Sequence, residues 1–238
     1  MLNKKITAII KKILCGDDLS SDEKKEYIKY SLCTSHTGKM KGMFSVSTSP
    51  LENKYCQARK DNKNCICAFC YAESMINQYT ALSKKLKINT LFYTRYRLKE
   101  EDIPEINCVY FRFEAFADLQ NVLQLENYYT IAKANRKTVK RFALWTKNYS
   151  FTNQTKMKKP KNMTIVYSEP IINKIWTVSQ FELFKRYNPA IDHVFIVCTK
   201  DYIQQNNVFV SCGARSCFNC HKCYFCKKQH RIIIEQKK

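Results

Sequence analysis

The sequence is poor in glycine and proline, with four glycines and five prolines among 238 residues. Flexible linkers are rich in these residues, so their scarcity argues against a long linker between separate domains. Long apolar runs are also missing, because no stretch approaches the roughly 20 apolar residues of a membrane-spanning helix. Near the start, Lys11 and Lys12 interrupt the apolar residues that a secretory signal would need. We therefore expect neither a membrane partner nor secretion.

Acidic residues are scarce too. The chain has 20 Asp and Glu against 41 Lys and Arg, a formal net charge of +21. Such a surplus attracts polyanions, and nucleic acid is the first partner to expect. A lysine-rich composition typical of AT-rich genomes would produce the same surplus. So would positive charge that compensates negatively charged metal–thiolate groups.

Ten basic residues lie between residues 127 and 168, where Asp and Glu are absent. Aromatic residues are interleaved with them, a combination that suits single-stranded nucleic acid because cations contact phosphates and rings stack on bases. Phe142 and Trp145 are better explained as core residues of a strand. Lys156–Lys161 is the predicted phosphate-contacting stretch.

Apolar residues make up 45% and aromatic residues 13% of the chain, which predicts a packed globule. A brief strand is predicted at Leu91–Thr94. Longer strands are predicted at Met43–Ser47, Cys108–Phe113, Phe142–Thr146, Thr164–Tyr167 and Val194–Cys198. Helical periodicity is found at Tyr71–Leu86, at Asn121–Asn135 and in a helix opened by the capping pair Ser179 and Glu182. This alternation predicts an α/β fold with right-handed βαβ units, a parallel sheet, and a barrel or partial barrel.

Two short helices are predicted before the first strand. Residues 3–15 place their apolar side chains on one stripe, and Ser20 with Glu23 has the spacing of a capping box. We expect a helical hairpin at residues 1–38 and a (β/α) body at residues 39–205. Residues 206–238 are expected to form a Cys-rich metal-binding segment with a basic tail.

Thirteen cysteines occur, an odd number that cannot be used up in disulfides. With no secretory signal, they indicate a reducing cytoplasmic compartment where thiols bind metals. The first set, within fifteen residues, is Cys56, Cys65, Cys67 and Cys70. Cys67 and Cys70 have the two-residue spacing with which one loop chelates a metal. The alternative, that these cysteines are small buried apolar residues, fits poorly with their Lys, Asn and Gln neighbours.

The second set lies near the end of the chain and consists of Cys212, Cys217, Cys220, Cys223 and Cys226. Its last four members are each separated by two residues, close to the cluster-binding loops of ferredoxins. Structural zinc sites usually place a dozen or more residues between two Cys pairs. We therefore predict iron–sulfur binding, with zinc as the alternative metal. Since a cluster needs four ligands, either Cys212 or Cys226 is the spare thiol.

Four charged residues lie at or just beyond predicted strand ends: Glu114, Asp118, Lys147 and Glu169. Carboxyl ends of parallel strands meet at one edge of a sheet or one mouth of a barrel. We expect these side chains to converge near the first Cys set and to orient a cofactor or substrate. Capping and surface ion pairing are the alternative roles.

Several segments resemble radical-SAM-like phage proteins, including the family named for gene product 88. They are FSVSTSP at residues 44–50, CICAFCYAES at 65–74, FRFEAFADLQN at 111–121, RFALWTKN at 141–148 and CGARSCFNCHKCY at 212–224. The resemblance implies a partial (β/α) barrel of radical-SAM-like type with a [4Fe–4S] cluster at its mouth. Three cysteines would hold three irons, and the fourth iron would bind S-adenosylmethionine.

By matching, Cys67 and Cys70 are the first ligands, followed by Cys56, with Cys65 as a further candidate. The spacing departs from the CxxxCxxC pattern of radical SAM enzymes, and a glycine-rich SAM-binding segment is not evident. If all four cysteines bound iron, no iron would stay open for S-adenosylmethionine.

Two functions follow from the sequence. The first is redox or radical chemistry on a nucleic acid or nucleotide. One or two [4Fe–4S] clusters would carry it, and an electron donor would reduce them. The second is a non-catalytic module, stabilised by iron–sulfur clusters or zinc, that binds nucleic acid or a host protein. A phage origin would place either one in the host cytoplasm.

Overall fold

A computed structural model describes residues 3–35, 38–225 and 231–237. Its strands are β1 Cys33–Thr34, β2 Phe44–Val46, β3 Cys108–Phe113, β4 Val139–Thr146, β5 Met163–Ser168, β6 His193–Cys198 and β7 Ile232–Gln236. Its helices are α1 Lys4–Cys15, α2 Ser21–Ser31, α3 Lys54–Gln57, α4 Tyr71–Gln78, α5 Thr80–Arg95, α6 Val122–Ala134, α7 Phe151–Gln154, α8 Val178–Tyr187, α9 Lys200–Gln205 and α10 Cys217–Cys220. In the described part of the chain, every helix is too short or too polar to cross a membrane.

All seven strands belong to one sheet, and their order in the sheet is their order in the chain. Strands β2 to β7 pair in parallel, while β1 pairs with β2 in the antiparallel sense. The sheet is not closed, because β1 and β7 are its two edges. Since the strand order never reverses, right-handed crossovers carry the connecting helices to the same face. The predicted α/β class and parallel sheet are therefore confirmed.

The main core lies between that face and the helices. Alternate residues of β3 and β4, among them Phe111, Phe113 and Phe142, point into it and are fully buried. The rings of Phe113 and Phe142 stack with centroids 5.5 Å apart. On the helical side, Tyr128 of α6 stacks on Phe113 at 4.4 Å. Aromatic pairs of this kind add to the stability that burial of the rings provides.

The opposite face of the sheet is covered by the C-terminal Cys-rich segment. A second, smaller core forms there from Tyr110, Ala143, Met43 and Tyr224. The backbone carbonyl of Tyr224 accepts a hydrogen bond of 3.0 Å from Thr164 Oγ1. The 3₁₀ turn Lys222–Tyr224 thus lies against the middle of the sheet, on the side that has no connecting helices.

The first two helices form where the sequence predicts them. Ser20 caps α2, and the reciprocal bond from its N–H to Glu23 completes the capping box. Ile9 and Ile13 of α1 and Tyr27 of α2 belong to the main core of the body. The division of the chain at residue 38 stays a prediction.

Three local predictions are wrong. Residues 91–94 are the last turns of α5 rather than a strand, because Phe92 and Tyr93 are buried between α5 and the N-terminal helices, and packing outweighs β propensity. The helix predicted over residues 71–86 breaks at Tyr79, whose φ of −117° and ψ of 88° separate α4 from α5. The capping box of α8 uses Thr177 and Gln180 instead of Ser179 and Glu182.

Replacement of Phe142 by alanine tests the main core. It removes a fully buried ring that contacts Phe111 and Phe113, and we expect the free energy of unfolding to fall by about 3–5 kcal/mol. Phe209, which is 82% exposed, provides the matched control, because Phe209→Ala should change the free energy by less than about 0.5 kcal/mol. Urea denaturation followed by circular dichroism measures both, and equal effects would contradict this core.

Candidate metal and cofactor site

The first Cys loop is fixed to the carboxyl-terminal edge of the sheet. Asn53 accepts hydrogen bonds from the backbone N–H groups of Tyr55 and Cys56, at 3.0 and 3.2 Å. Its amide group also donates to the backbone carbonyl of Asp118 at 2.7 Å. At the other end of the loop, the N–H of Ile66 donates to the carbonyl of Pro170 at 2.8 Å. The loop is therefore tied to the segments that follow β3 and β5.

Three thiols of the first set line one cavity of about 50 Å³. They belong to Cys56, Cys67 and Cys70, and the cavity wall also contains Asp118 and Lys147. Further lining residues are Pro50, Tyr55, Gln57, Lys60, Glu73, Phe116 and Ala117. Two of the four predicted strand-end residues are thus beside the first Cys set.

Cys65 is separated from the other three thiols of its set. It is 1% exposed and is not part of the cavity wall. Its Sγ accepts a hydrogen bond of 3.4 Å from the N–H of Cys67, and its backbone pairs with Ile171. In this conformation Cys65 stabilises the loop through these hydrogen bonds and does not line the cavity.

Asp118 holds the chain after β4. Its carboxylate accepts hydrogen bonds from Thr146 Oγ1 and from the N–H of Lys147, the latter at 2.7 Å. The N–H of Asn148 lies 3.4 Å from the same carboxylate. Through these hydrogen bonds, Asp118 fixes the position of the Lys147 backbone beside the cavity.

Burial and neighbouring charges shift the pKa values of the ionisable groups in the cavity. Burial raises the pKa of Cys67 to about 12, although Lys147 acts in the opposite direction. Burial and then the charge of Asp118 raise the pKa of Cys56 far above its ordinary value. Burial alone would lower the pKa of Lys147, but Asp118, Cys67, Cys56 and Cys70 outweigh it and raise that pKa. The thiols of Cys56 and Cys67 are therefore neutral until a metal displaces their protons, and they are not activated nucleophiles.

Glu114 lies at the end of β3 but does not line the cavity. It is 2% exposed and accepts hydrogen bonds from the N–H and hydroxyl of Thr48, from Gln124 and from Tyr128. Its φ of 53° is in the left-handed region, which costs a non-glycine residue about 1–3 kcal/mol and is usually held by surrounding contacts. This network fastens the end of β3 to the end of β2 and to α6.

Glu169 is likewise occupied by local partners. Its carboxylate accepts hydrogen bonds of 2.8 Å from Trp176 Nε1 and 3.1 Å from the N–H of Ile171, and Lys174 lies 3.1 Å away. It is 1% exposed. Since Ile171 pairs with Cys65, Glu169 supports the Cys loop indirectly.

The second Cys set lies along the C-terminal segment. Cys212 is anchored to β7, because its N–H donates to the carbonyl of Ile234 at 2.9 Å. Cys217 and Cys220 are the ends of α10, which Ser216 caps, and Cys223 follows in the 3₁₀ turn. Burial raises the pKa of Cys212 to about 11, and the charges of Cys217 and Cys220 add to the effect. Cys226 lies outside the described residues.

A half-buried arginine faces this second set. The guanidinium of Arg112 lies over the ring of Trp145 at 4.1 Å, and its Nη1 donates to the sulfur of Met40 at 3.2 Å. Its Nε is buried and has no hydrogen-bond partner among the described residues. The charge of Arg112 partly counteracts the effect of burial on the pKa of Cys217. A partly buried cation without a carboxylate is costly, so a negatively charged metal–thiolate group would suit this position.

The described members of the two Cys sets do not surround a single metal ion. In residues 3–35, 38–225 and 231–237, no three His, Cys, Asp or Glu side chains converge closely enough to hold one ion. All twelve cysteines in these ranges are free thiols. The thiol donors and the neighbouring cations therefore suit metal–thiolate groups. The positions of the described side chains do not match a site for one ion.

Comparisons with models of protein families, with curated proteins and with solved structures found no match for this chain.

Two contributors to these sites were missed from the sequence. Tyr55 lines the cavity and its hydroxyl donates to the carbonyl of Lys147 at 2.8 Å. Arg112 faces the second Cys set from the middle of β3. The position of Tyr55 next to Cys56 was an available signal. For Arg112, a charged residue inside an otherwise apolar strand was the signal.

The buried carboxyl of Glu114 predicts a pH dependence of stability. Burial raises its pKa from 4.5 to about 7, so the folded chain retains a proton that the unfolded chain releases. The free energy of unfolding should therefore fall as the pH rises from about 4.5 to about 7. The full effect is on the order of 3 kcal/mol. Glu114→Gln should remove this slope, as measured by urea denaturation at a series of pH values.

The matched control is Glu105→Gln, which changes an exposed carboxylate and should keep the wild-type slope. A Glu114→Gln curve parallel to that of the wild type would show that this carboxyl is not the source of the pH dependence.

Proposed function

We propose that this chain is an iron–sulfur protein with a partial (β/α) barrel of radical-SAM-like type, related to the phage proteins that it resembles. In this proposal Cys56, Cys67 and Cys70 bind a [4Fe–4S] cluster. The observation that carries it is the separation of the first Cys set into three thiols that line one cavity and a fourth, Cys65, that does not.

The sheet supports the barrel part of the proposal. An unreversed order of parallel strands with helices on one face is the arrangement that closes into a (β/α) barrel when it is continued. Residues at the carboxyl ends of its strands provide the chemistry in that class of fold. The cavity formed by the first Cys set lies at this edge, beside Asp118 and Lys147.

A cluster and a mononuclear ion require different spacings of their ligand sulfurs. Around one zinc ion, all ligand sulfurs lie about 2.3 Å from the metal and therefore close to one another. In a [4Fe–4S] cluster each cysteine binds a different iron, so the sulfurs are farther apart. Within the described part of the chain, no three His, Cys, Asp or Glu side chains converge on a single ion.

With three thiol ligands, one iron of such a cluster would be left open for S-adenosylmethionine. When bound, the cluster would supply the electron for reductive cleavage of that cofactor. An electron-donor protein would then reduce the cluster again. The roles of the chain's own residues are to bind and to orient. Lys147 places a positive charge beside the thiolates, and Asp118 fixes the backbone of Lys147.

The second Cys set supports a second, non-catalytic candidate function. Here a cluster or a zinc ion bound by Cys212, Cys217, Cys220 and Cys223 would fasten the C-terminal segment to the sheet. The favouring observation is that Tyr224, next to Cys223, is 1% exposed at the centre of the smaller core. A protein with such a structural metal site, and without catalysis at the first Cys set, would be a binding module for nucleic acid or a host protein.

The test is anaerobic purification followed by iron, sulfide and zinc analysis. Cys67→Ala should lose the iron of the first set, which is about half of the total if both sets hold clusters and nearly all of it if only the first does. Cys65→Ala is the matched variant and should retain the wild-type iron content, because three other thiols line the cavity. Melting temperatures of both variants monitor folding.

Reduction in the presence of S-adenosylmethionine then separates the two functions. Production of 5′-deoxyadenosine by the wild type and Cys65→Ala, but not by Cys67→Ala, is the expected result. Intact S-adenosylmethionine with stable clusters would favour the binding module. Equal iron loss in Cys65→Ala would indicate four ligands and no open iron, and zinc without sulfide would contradict both iron–sulfur proposals.

A further inference from the structure

The amino-terminal edge of the sheet carries a group of cations, which we call the basic edge: Arg136, Lys137, Lys140, Arg141 and Lys161. Arg136 and Lys137 lie in the turn between α6 and β4, Lys140 and Arg141 begin β4, and Lys161 precedes β5. All are exposed except Arg141, which is half-buried. The Nη1 of Arg141 donates to the carbonyl of Lys161 at 2.8 Å, so the ends of β4 and β5 hold these charges next to each other.

These five cations have no carboxylate partner within 4 Å in the described part of the chain, whereas cations elsewhere form twelve ion pairs. Three acidic residues lie nearby. Glu100 is paired with Lys133, although its charge also interacts with Arg136. Asp192 is already paired with Lys159, and Glu105 accepts a hydrogen bond from Asn107. The basic edge therefore keeps a net positive charge, which is unfavourable by itself and attracts a polyanion.

An aromatic ring lies beside the same cations. Phe225 is half-buried, and the charged groups of Arg141 and Lys140 lie 5.1 and 5.9 Å from its ring centroid. The rings of His221 and Tyr110 contact Phe225 edge to face, at 5.4 and 6.2 Å. These contacts hold the ring in place. A fixed ring flanked by cations can stack on a base while the cations contact the phosphates next to it.

We propose that the basic edge and Phe225 form a binding surface for single-stranded nucleic acid. The cations contact the phosphates, and Phe225 stacks on one base. An acidic protein would also be attracted by the positive charge, but binding of an acidic protein does not require an aromatic ring beside the cations. The nucleic-acid partner accounts for both features.

This surface is separate from the cavity of the first Cys set. The two lie at opposite ends of β4, since Lys140 is near its beginning and Lys147 follows its end. At about 3.3 Å per residue they are roughly 20 Å apart. The basic edge is therefore an anchoring site, and its role does not depend on the proposed iron–sulfur chemistry.

The test is fluorescence anisotropy of the full chain, purified anaerobically, with a labelled single-stranded oligonucleotide of mixed sequence at several salt concentrations. The variant Lys137→Glu/Lys140→Glu/Lys161→Glu should weaken binding by at least tenfold. It should also reduce the slope of log K against log salt by about 2, since each phosphate contact on a single strand contributes about 0.7.

The matched control is Lys11→Glu/Lys84→Glu/Lys200→Glu. These lysines are also exposed and outside every ion pair among the described residues, and the two triple variants change the net charge equally. The control should alter affinity by less than about threefold. An equal loss in both triple variants would mean that binding follows overall charge, and would overturn the proposal.

The stacking part has its own variant. Phe225→Ala should weaken binding several-fold without changing the salt slope, because a ring contributes no charge. Phe209→Ala, which removes an 82% exposed ring elsewhere, should have no effect. Unchanged affinity of Phe225→Ala, or equal competition by polyglutamate and by the oligonucleotide, would overturn the assignment to single-stranded nucleic acid. Because Phe225 follows Cys223 of the second Cys set, the iron content of Phe225→Ala is measured as well and should equal that of the wild type. The triple variants change no residue of either Cys loop, so failure of the binding proposal is distinguishable from failure of the iron–sulfur proposal.

Discussion

Parallel pairing of β2 to β7 in chain order determines where the helices, the Cys loops and the charged edges of this protein lie. Because the order never reverses, the helices cover one face and leave the other face to the C-terminal Cys segment. The same pairing brings the carboxyl ends of β3 and β4 together, so that Asp118 and Lys147 border the cavity of the first Cys set. At the opposite edge, the amino ends of β4 and β5 bring together cations that have no ion pair among the described residues. Both proposed sites are therefore consequences of one topology.

Charge compensation links the two Cys sets. Each faces a cation without an ion pair in the described residues: Lys147 at the first set and Arg112 at the second. Removing a cation from water is costly unless negative charge lies nearby. Asp118 supplies some of that charge at Lys147, whereas the thiols of Cys56 and Cys67, with their raised pKa values, supply none while they are protonated. Metal-bound thiolates would supply it at both places. Arg112, whose buried Nε has no hydrogen-bond partner among the described residues, would be an unfavourable neighbour for cysteines that were only small apolar residues.

The sequence was sufficient for the α/β class, for most strands and for the location of Asp118 and Lys147 at strand ends, because these follow from periodicity and parallel pairing. Residues 91–94 were wrongly predicted as a strand, since the burial of Phe92 against α1 and α2 is a long-range contact. Long-range docking also separates Cys65 from its neighbours, through the bond of Ile66 to Pro170. Glu114 was expected to face a cofactor, yet its surroundings on α6 and β2 enclose it. Local sequence carries none of these three facts.

The proposed chemistry requires that the first set bind a four-iron cluster through three of its four thiols. Mössbauer spectroscopy of protein reconstituted with ⁵⁷Fe, before and after addition of S-adenosylmethionine, observes the individual irons. We expect a [4Fe–4S] spectrum in which the signal of a single iron changes when the cofactor is added. A spectrum with no such change, in protein that is fully loaded and folded, would refute three-thiol ligation with an open iron.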